Sequence, residues 1–288
     1  MVKAGYREEQ LEQLEDFFEF APVGMHLVDG EGRFTRANIA MLEVLGYFGA
    51  KDELMGRSFA EAFVDRSVFE DIHRRLSAGE VVNHVKTRLR GRDGEPREVT
   101  LDASARLEGG RLRTSRWFLR PAVLRELPSA RAVAASPDVT EKLASSTEEE
   151  KARSLDELND FFDNAPVGVH FVGLNGVMMR ANRAEVRLLG FEDAPEGYIG
   201  RHVREIHHEK AVVETLLERL VAGTPVIGYE AYLKRRDGGL QPVHIYSGLR
   251  LKGGKFQNTR CFLFENPNPR RPPTESHVAG FSWPRNDA

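Results

Sequence analysis

Residues 16–124 recur in register at residues 160–268, and this internal duplication constrains the fold more than any other feature of the sequence. A shift of 144 positions aligns the two copies without a gap, and about 40 of about 109 aligned residues are identical. Shared composition does not produce such a register. Because the period is much longer than the roughly 20–50 residues of a solenoid repeat, each copy is predicted to be a domain with its own core.

The length of 288 residues fits two such domains plus linkers. The single cysteine, Cys261, excludes an intrachain disulfide, which agrees with a reducing compartment. The amino terminus lacks the apolar region of a signal peptide, and no stretch approaches the roughly 18 apolar residues that span a bilayer. A net charge of −3 with both signs interspersed provides no basic stripe for nucleic acid. These features predict a soluble cytoplasmic protein that binds neither membranes nor nucleic acids.

Each copy begins with an amphipathic helix. Residues 6–20 carry one stripe of apolar side chains at helical spacing, and residues 155–162 repeat it. Such stripes exceed what an isolated surface helix exposes, so they predict a homodimer interface, with the alternative that they fold back on their own sheet. The predicted interface residues are Leu11, Leu14, Phe17, Phe18, Leu155, Leu158, Phe161 and Phe162.

The remainder of each copy reads as a β-hairpin, several helices and three further strands. Asn38 and Asn182 are placed to cap the helix that follows the hairpin, and Gly79 and Gly223 end a longer helix. The last three strands alternate apolar and polar residues around an RDG turn and a Gly-Gly turn. The predicted fold is therefore α+β, with two domains that each contain a five-stranded antiparallel sheet and helices on one face.

The predicted domain organisation follows from the two copies and the segments around them. It consists of an N-terminal amphipathic helix (1–14), a first domain (15–120), a loop and linker helix (121–158), a second domain (159–265) and a disordered, proline-rich tail (266–288). The charged stretch from about residue 139 to residue 162 is predicted to be one continuous helix that joins the domains.

Several short motifs occur in the same order in both copies. They are APVG before the first strand, RAN and LGY or LGF around the first helix, GR after it, the RDG turn, and a last strand that contains TSRWF or TRCF. In this ordered set each copy resembles a PAS domain, the sensor module of bacterial histidine kinases and related signalling proteins. PDVTEK at 137–142 is similar to the segment that leads from many PAS domains into an outgoing signalling helix, although about 18 residues separate it from Leu119.

Six polar residues are candidate ligand contacts. His26 and His170 share a place in the first strand, where each is either a neutral buried imidazole bonded to a carbonyl or a ligand or proton-sensing group. Arg116 and Arg260 alternate with core residues in the last strand, so each must pair with a structural carboxylate or an anionic ligand. The candidates are His26, Asn38, Arg116, His170, Asn182 and Arg260, of which the two asparagines are most simply helix caps.

No cofactor is predicted. His73 lies on the long helix, where PAS domains that bind haem resemble one another in placing a histidine, but copy two has Leu217 there. The cysteine motif of flavin-binding PAS domains is missing. His202, His207 and His208 read as a surface cluster and not as a metal site, because no carboxylate or cysteine stands at metal-ligand spacing.

The sequence carries no phosphate-binding glycine loop and no nucleophile motif, so the chain is predicted not to be an enzyme. The resemblance implies a non-catalytic tandem PAS sensor in bacterial signal transduction, such as a two-component pathway, that acts through homodimerisation and a separate kinase or regulator. One alternative is a sensor in which a bound small molecule, haem or an anion, is central. Another is a ligand-free scaffold.

Overall fold

The computed structural model describes residues 2–121, 143–252 and 255–270, with the side chains of residues 2–6 left out. The predicted loop, the segment PDVTEK and most of the predicted tail lie outside these residues. The chain divides into two compact units, Met1–Phe161 and Phe162–Ala288, named domain 1 and domain 2 below.

Domain 1 contains a five-stranded antiparallel sheet in the order β2-β1-β5-β4-β3. Its elements are α1 (Val2–Glu19), β1 (Gly24–Asp29), β2 (Phe34–Ala37), α2 (Ile39–Leu45), α3 (Lys51–Leu54), a 3-10 turn (Phe59–Ala62), α4 (Arg66–Ser77), β3 (Val82–Arg90), β4 (Pro96–Glu108), β5 (Arg111–Pro121) and most of α5 (Glu148–Asp163).

Domain 2 repeats this architecture with the sheet order β7-β6-β10-β9-β8. Its elements are β6 (Gly168–Gly173), β7 (Met178–Ala181), α6 (Arg183–Leu188), a 3-10 turn (Pro195–Gly197), α7 (Val203–Ile206), α8 (Lys210–Val221), β8 (Val226–Lys234), β9 (Leu240–Lys252) and β10 (Lys255–Glu265). The α+β fold with two five-stranded antiparallel sheets is thus confirmed.

One asparagine in each domain fixes the helix after the hairpin to the first strand. The Asn38 side-chain oxygen accepts hydrogen bonds from the backbone N–H groups of Met41 and Met25, and its amide donates to the carbonyl of Val23. Asn182 makes the equivalent bonds in domain 2. Because the backbone engages both ends of each amide, these side chains act as helix caps and not as ligand contacts.

The apolar stripe of α1 is buried within a single chain, which contradicts the exposure on which the dimer interface was predicted. Leu11, Leu14, Phe17 and Phe18 are each at most 2% exposed. The rings of Phe18 and Phe161 of α5 pack in a T-shaped arrangement with centroids 5.2 Å apart, and the guanidinium of Arg36 on β2 lies over the Phe18 ring, 4.5 Å from its centroid. Of the other predicted interface residues, Leu158, Phe161 and Phe162 are buried and Leu155 is half-buried. The stripes therefore contribute to the packing of the monomer.

The linker helix is shorter than predicted. α5 begins at Glu148, whereas residues 145–147 are not helical and residues 139–142 lie outside the described residues. Thr147 and Glu150 form a capping box, in which the Thr147 hydroxyl accepts from the Glu150 N–H and the Glu150 carboxylate accepts from the Thr147 N–H. This reciprocal cap starts a new helix, so the expectation of one continuous helix from residue 139 to residue 162 is wrong.

Candidate functional site

Domain 2 contains a cavity of about 30 Å³ between its sheet and its helices, which is room for about two water molecules. Aliphatic side chains form most of the wall, and the polar groups come mainly from the sheet. The lining residues are His170, Val172, Val203, His207, Val213, Leu216, Leu217, Leu220, Ile245, Ser247, Thr259 and Cys261. This volume is far below the roughly 300–1,000 Å³ of typical cofactor and ligand pockets, so these residues do not fit a haem or a flavin.

Three adjacent strands place polar side chains side by side in this cavity. Cys261 on β10 is the register partner of His170 on β6 and of Ser247 on β9. Because side chains alternate along a strand, Thr259, two residues from Cys261, points to the same face. The Ser247 hydroxyl lies 2.9 Å from the Cys261 sulfur and the Thr259 hydroxyl lies 3.7 Å from it.

The buried carboxylate of Glu185 contacts the imidazole of His170. Glu185 lies in the first turn of α6, where the cap formed by Asn182 holds its backbone N–H. The Glu185 carboxylate oxygens lie 2.8 and 3.0 Å from Nδ1 of His170, and the Tyr198 hydroxyl donates to the same carboxylate. Glu185 and Tyr198 are fully buried, so this chain of hydrogen bonds is shielded from water.

The electrostatics of this cluster favour a charged His170. Burial alone lowers the pKa of His170, but the opposing charges of Glu185 and Cys261 outweigh it and raise this pKa to about 10. Burial raises the pKa of Cys261, yet the charge of His170 and hydrogen bonds with His170, Ser247 and Thr259 lower it below its ordinary value. Burial and the Glu185 charge raise the pKa of Tyr198, which stays a donor. The electrostatics of the site thus favour the charged form of His170 and make Cys261 more acidic than an ordinary thiol.

A second histidine faces the cavity from the opposite side. His207, which follows α7, is 4% exposed, and its Nδ1 has no hydrogen-bond partner. Burial, together with the charge of His170, lowers the pKa of His207 to about 3, so its ring is neutral. The interpretation of His202, His207 and His208 as a surface cluster is wrong for His207. His202 caps α7 by accepting from the Arg204 N–H.

No group of three or more His, Cys, Asp or Glu side chains within residues 2–121, 143–252 and 255–270 is arranged to hold a metal ion. In the same ranges no helix combines the length and the apolar character that crossing a membrane requires.

The equivalent histidine of domain 1, His26, lies in an aromatic environment. His26 is fully buried among aromatic rings, with ring centroids 4.5 Å from Phe59, 5.1 Å from Phe34 and 5.9 Å from Trp117. Neither ring nitrogen has a hydrogen-bond partner. Burial lowers the pKa of His26 to about 3. The imidazole is neutral as expected, but the expected bond to a backbone carbonyl is not formed.

The remaining candidate ligand residues have structural partners. Arg116 of β5 donates to the carboxylate of Asp160 in α5 and to the hydroxyl of Ser104. Arg260 of β10 donates to the carbonyl of Leu249 on the neighbouring strand. His73 stacks on Phe69 within α4, with ring centroids 5.5 Å apart. Of the six candidates, only His170 lines the cavity.

Sequence reasoning missed the residues that distinguish domain 2, although a signal for them existed in the duplication. Glu185 aligns with Met41, Tyr198 with Leu54, and Cys261 with Trp117 when the copies are shifted by 144 positions. Comparing the two copies at identical positions identifies the residues that determine the fold. The chemistry lies at positions where an apolar residue in one copy aligns with a polar residue in the other.

A family model described as the PAS fold matches residues 11–121 and 156–255. The chain therefore belongs to the PAS family and contains two PAS domains. PAS domains are sensory modules of signal transduction, which gives the coarse role of this protein. The comparison with curated proteins returned no match.

Solved structures with a similar fold include several sensor domains. A PAS domain of an HTR-like protein from Haloarcula marismortui is 22% identical, with a TM-score of 0.36, and the match covers 42% of this chain and 98% of that one. A domain of a sensory box histidine kinase/response regulator from Geobacter sulfurreducens is 24% identical, with a TM-score of 0.31, covering 37% and 89%. An RNA-binding light-oxygen-voltage receptor is 16% identical, with a TM-score of 0.32, covering 84% and 95%.

Proposed function

We propose that this chain is a non-catalytic tandem PAS sensor in which domain 2 receives the signal as a small molecule in its cavity. Domain 1 is the packed module that relays the signal to a separate signalling protein, such as a kinase or regulator of a bacterial two-component pathway in the cytoplasm. The observation that carries this assignment is the contrast between the two cores. Domain 2 has a cavity lined by polar groups, whereas aromatic rings surround the equivalent histidine of domain 1.

The polar groups of domain 2 support an input role because burying them without a ligand is costly. A buried imidazole nitrogen without a partner, such as Nδ1 of His207, carries a desolvation cost of about 1–3 kcal/mol. The buried carboxylate of Glu185 needs both His170 and Tyr198 to offset its own desolvation. A scaffold with no ligand gains nothing from this arrangement, since apolar residues fill the same volume in domain 1.

The proposal includes a homodimer. The apolar stripe of α1 is buried within one chain. In the proposed dimer, two copies exchange their α1 helices, so each stripe makes the same contacts with the partner chain. Light scattering at tens of micromolar measures the assembly directly. A strict monomer removes the dimer from the proposal, and a dimer that Leu14→Glu dissociates supports it.

A matched pair of substitutions tests the input role of domain 2. Val203→Phe introduces into domain 2 the ring that domain 1 has at Phe59, and Phe59→Val makes the reverse change in domain 1. Binding of small molecules of two or three heavy atoms to the full chain is followed by ligand-detected NMR. We expect binding to the original chain and to Phe59→Val, and loss of binding in Val203→Phe.

Binding that is the same in all three chains overturns the assignment of the input to domain 2. Absence of binding in all three favours the ligand-free scaffold. Native mass and the absorbance spectrum of the purified chain complete the test, because a bound haem or flavin would be visible at once.

A further inference from the structure

We propose that Cys261 is a reactive thiolate whose oxidation by hydrogen peroxide is the signal that domain 2 detects. This inference deepens the proposed function and rests on it in one respect, namely that domain 2 is the input domain.

The geometry around Cys261 is that of an activated nucleophile. Cys261 is the register partner of His170 on the adjacent strand, both side chains line the cavity, and Nδ1 of His170 lies 2.8 Å from the Glu185 carboxylate. A cysteine beside a protonated histidine that a buried carboxylate orients and holds in place is the arrangement that favours the thiolate, which is the reactive form of cysteine. The Tyr198 hydroxyl fixes the carboxylate in turn. His170, Glu185 and Tyr198 therefore form a chain of contacts that ends beside Cys261.

The cavity selects a small neutral oxidant. Its volume of about 30 Å³ admits a molecule of two or three heavy atoms but no large electrophile. Hydrogen peroxide has two heavy atoms and needs hydrogen-bond partners on both oxygens. Ser247 and Thr259 lie beside the sulfur, and the unpartnered Nδ1 of His207 faces the same space. Cys261 itself lines this cavity and is only partly buried as a residue, so a molecule that enters the cavity meets its side chain.

The reaction balances with the groups present and one added oxidant. The thiolate sulfur attacks one peroxide oxygen, a sulfur–oxygen bond forms, and the oxygen–oxygen bond breaks. The sulfur loses two electrons and becomes a sulfenic acid, while the second oxygen leaves as hydroxide. His170 gives its proton to this hydroxide, which departs as water.

The product differs from the starting site in charge and in volume. The thiolate and the imidazolium are both neutral after the reaction, so the buried carboxylate of Glu185 loses the charge that opposed it. An added oxygen also occupies part of the small cavity. Because the chain has one cysteine, no intrachain disulfide can follow, and the sulfenic acid persists as the signal until an external thiol reduces it.

The experiment measures sulfenic acid formation on the full chain treated with hydrogen peroxide. Samples are quenched into denaturant that contains dimedone and iodoacetamide, so the cavity does not limit access of the labels, and mass spectrometry gives the ratio of the two labels on Cys261. The same chain in urea supplies the reference rate of an ordinary thiol. We expect the folded rate to rise less steeply with pH between 5.5 and 8 than the rate in urea, which rises about tenfold per pH unit below the ordinary thiol pKa of about 8.5.

One substitution and its matched control test whether Glu185 activates the thiol. Glu185→Gln preserves the shape and removes the charge, so we expect a rate at pH 6 at least about tenfold lower and a return of the steep pH dependence. Glu196→Gln is the matched control, because Glu196 is exposed and close in sequence to Tyr198, and it leaves the rate unchanged. If Glu185→Gln does not fold, the pH profile of the unmodified chain still decides the question.

Failure of this inference is distinguishable from failure of the proposed function. No sulfenic acid on Cys261, or a folded rate that follows the pH profile measured in urea, overturns the oxidant inference even where small ligands bind domain 2. Rapid oxidation with a pH profile less steep than that measured in urea supports the thiolate chemistry. If hydrogen exchange of the oxidised chain then matches that of the reduced chain throughout, the oxidation carries no signal and the oxidant inference is wrong, whereas the input role of domain 2 is decided by the ligand-binding test.

Discussion

The two domains place a histidine at the same point of the same strand, and its ring is neutral in domain 1 and charged in domain 2. His26 has aromatic neighbours and no hydrogen bond, and its pKa is lowered to about 3. His170 has Glu185 and Cys261 as neighbours, and its pKa is raised to about 10. The backbone register is the same in both sheets. The difference shows that the surrounding side chains, and not the fold, determine what this position does.

Aromatic side chains account for most of the difference between the cores. Five positions that carry a ring in domain 1 carry a smaller or polar residue in domain 2, as Phe34, Phe59, Phe63, Phe69 and Trp117 align with Met178, Val203, His207, Val213 and Cys261. The rings of domain 1 contact one another at centroid distances near 5 Å. Their replacement in domain 2 leaves the space that the cavity occupies. One copy of the duplicated fold is thus specialised for packing and the other for chemistry.

Removing the central ring should have the largest effect on this comparison. Trp117→Ala deletes a fully buried indole that packs against Phe59 and Phe69, so we expect domain 1 to lose about 3–5 kcal/mol of unfolding free energy. Cys261→Ala at the aligned position removes few atoms beside an existing cavity and should cost about 1 kcal/mol. Urea unfolding followed by circular dichroism, with hydrogen exchange to assign each transition to a domain, measures both. Equal costs would show that the two cores are packed alike.

A second substitution tests the outer face of the domain 1 sheet. Arg116 is 1% exposed and pairs with Asp160, so Asp160→Asn leaves a buried guanidinium without its carboxylate, and we expect a loss of about 2–4 kcal/mol. Asp156→Asn is the control, because the Asp156 side chain is 76% exposed and its pair with Arg106 should contribute less than about 1 kcal/mol. Chemical denaturation of both variants provides the comparison. Similar losses would mean that burial does not control the strength of these pairs.

The sequence predicted the fold because its signals were local and occurred twice. Alternating strands, glycine turns and the asparagine caps are each determined within a few residues, and the duplication confirmed each one independently. The prediction for α5 was wrong although a local signal existed. Thr147 and Glu150 match the capping-box pattern, which marks the start of a new helix.

The candidate site was harder to predict because its residues are distant in sequence. Cys261 meets His170 only through the pairing of the last strand with the first strand of domain 2. No sequence pattern distinguished Glu185 from the other acidic residues of the predicted helices. The sequence also left the partner of Arg116 undecided, since Asp160 lies 44 residues further along the chain. Periodicity identifies the face on which a side chain lies, but the partner on that face depends on the tertiary structure.

The neutral histidine of domain 1 predicts a specific acid sensitivity. The pKa of His26 is lower in the folded chain, at about 3, than its ordinary value of about 6.5, so the unfolded state binds the extra proton and stability falls as the pH drops below 6.5. At pH 4.5 this amounts to about 2–3 kcal/mol. His26→Leu should remove this loss and leave the stability at pH 7.5 nearly unchanged.

Fluorescence measures this effect for domain 1 alone. The chain has two tryptophans, Trp117 and Trp283, and in a Trp283→Phe background the signal comes from Trp117 beside His26. Urea midpoints at pH 7.5 and pH 4.5 are compared with and without His26→Leu. His170 acts in the opposite sense on domain 2: its folded pKa is about 10, so its contribution to stability increases as the pH falls to below its ordinary value of about 6.5. An equal fall in the midpoint of both chains would show that other groups cause the acid sensitivity.

The smallest predicted effect concerns whether the packed domain and the cavity domain influence each other. The boundary between the two compact units falls within α5, between Phe161 and Phe162, so one helix belongs to both. A destabilising change in domain 1, Leu101→Ala, should therefore alter the free energy of hydrogen exchange in domain 2 by about 0.5–1 kcal/mol. Arg153→Pro interrupts α5 at a side chain that is 77% exposed and should abolish this response.

Leu143→Pro is the matched control, because it lies before the capping box that starts α5 and should leave the response intact. This control distinguishes coupling through α5 from coupling through the segment that precedes it. A response lost in Arg153→Pro but kept in Leu143→Pro assigns the coupling to α5, since each proline removes one backbone donor and they differ in the helix that they interrupt. A domain 2 that never responds to Leu101→Ala, even with α5 intact, would mean that the two PAS domains fold and act independently, and the relay role proposed for domain 1 would then be wrong.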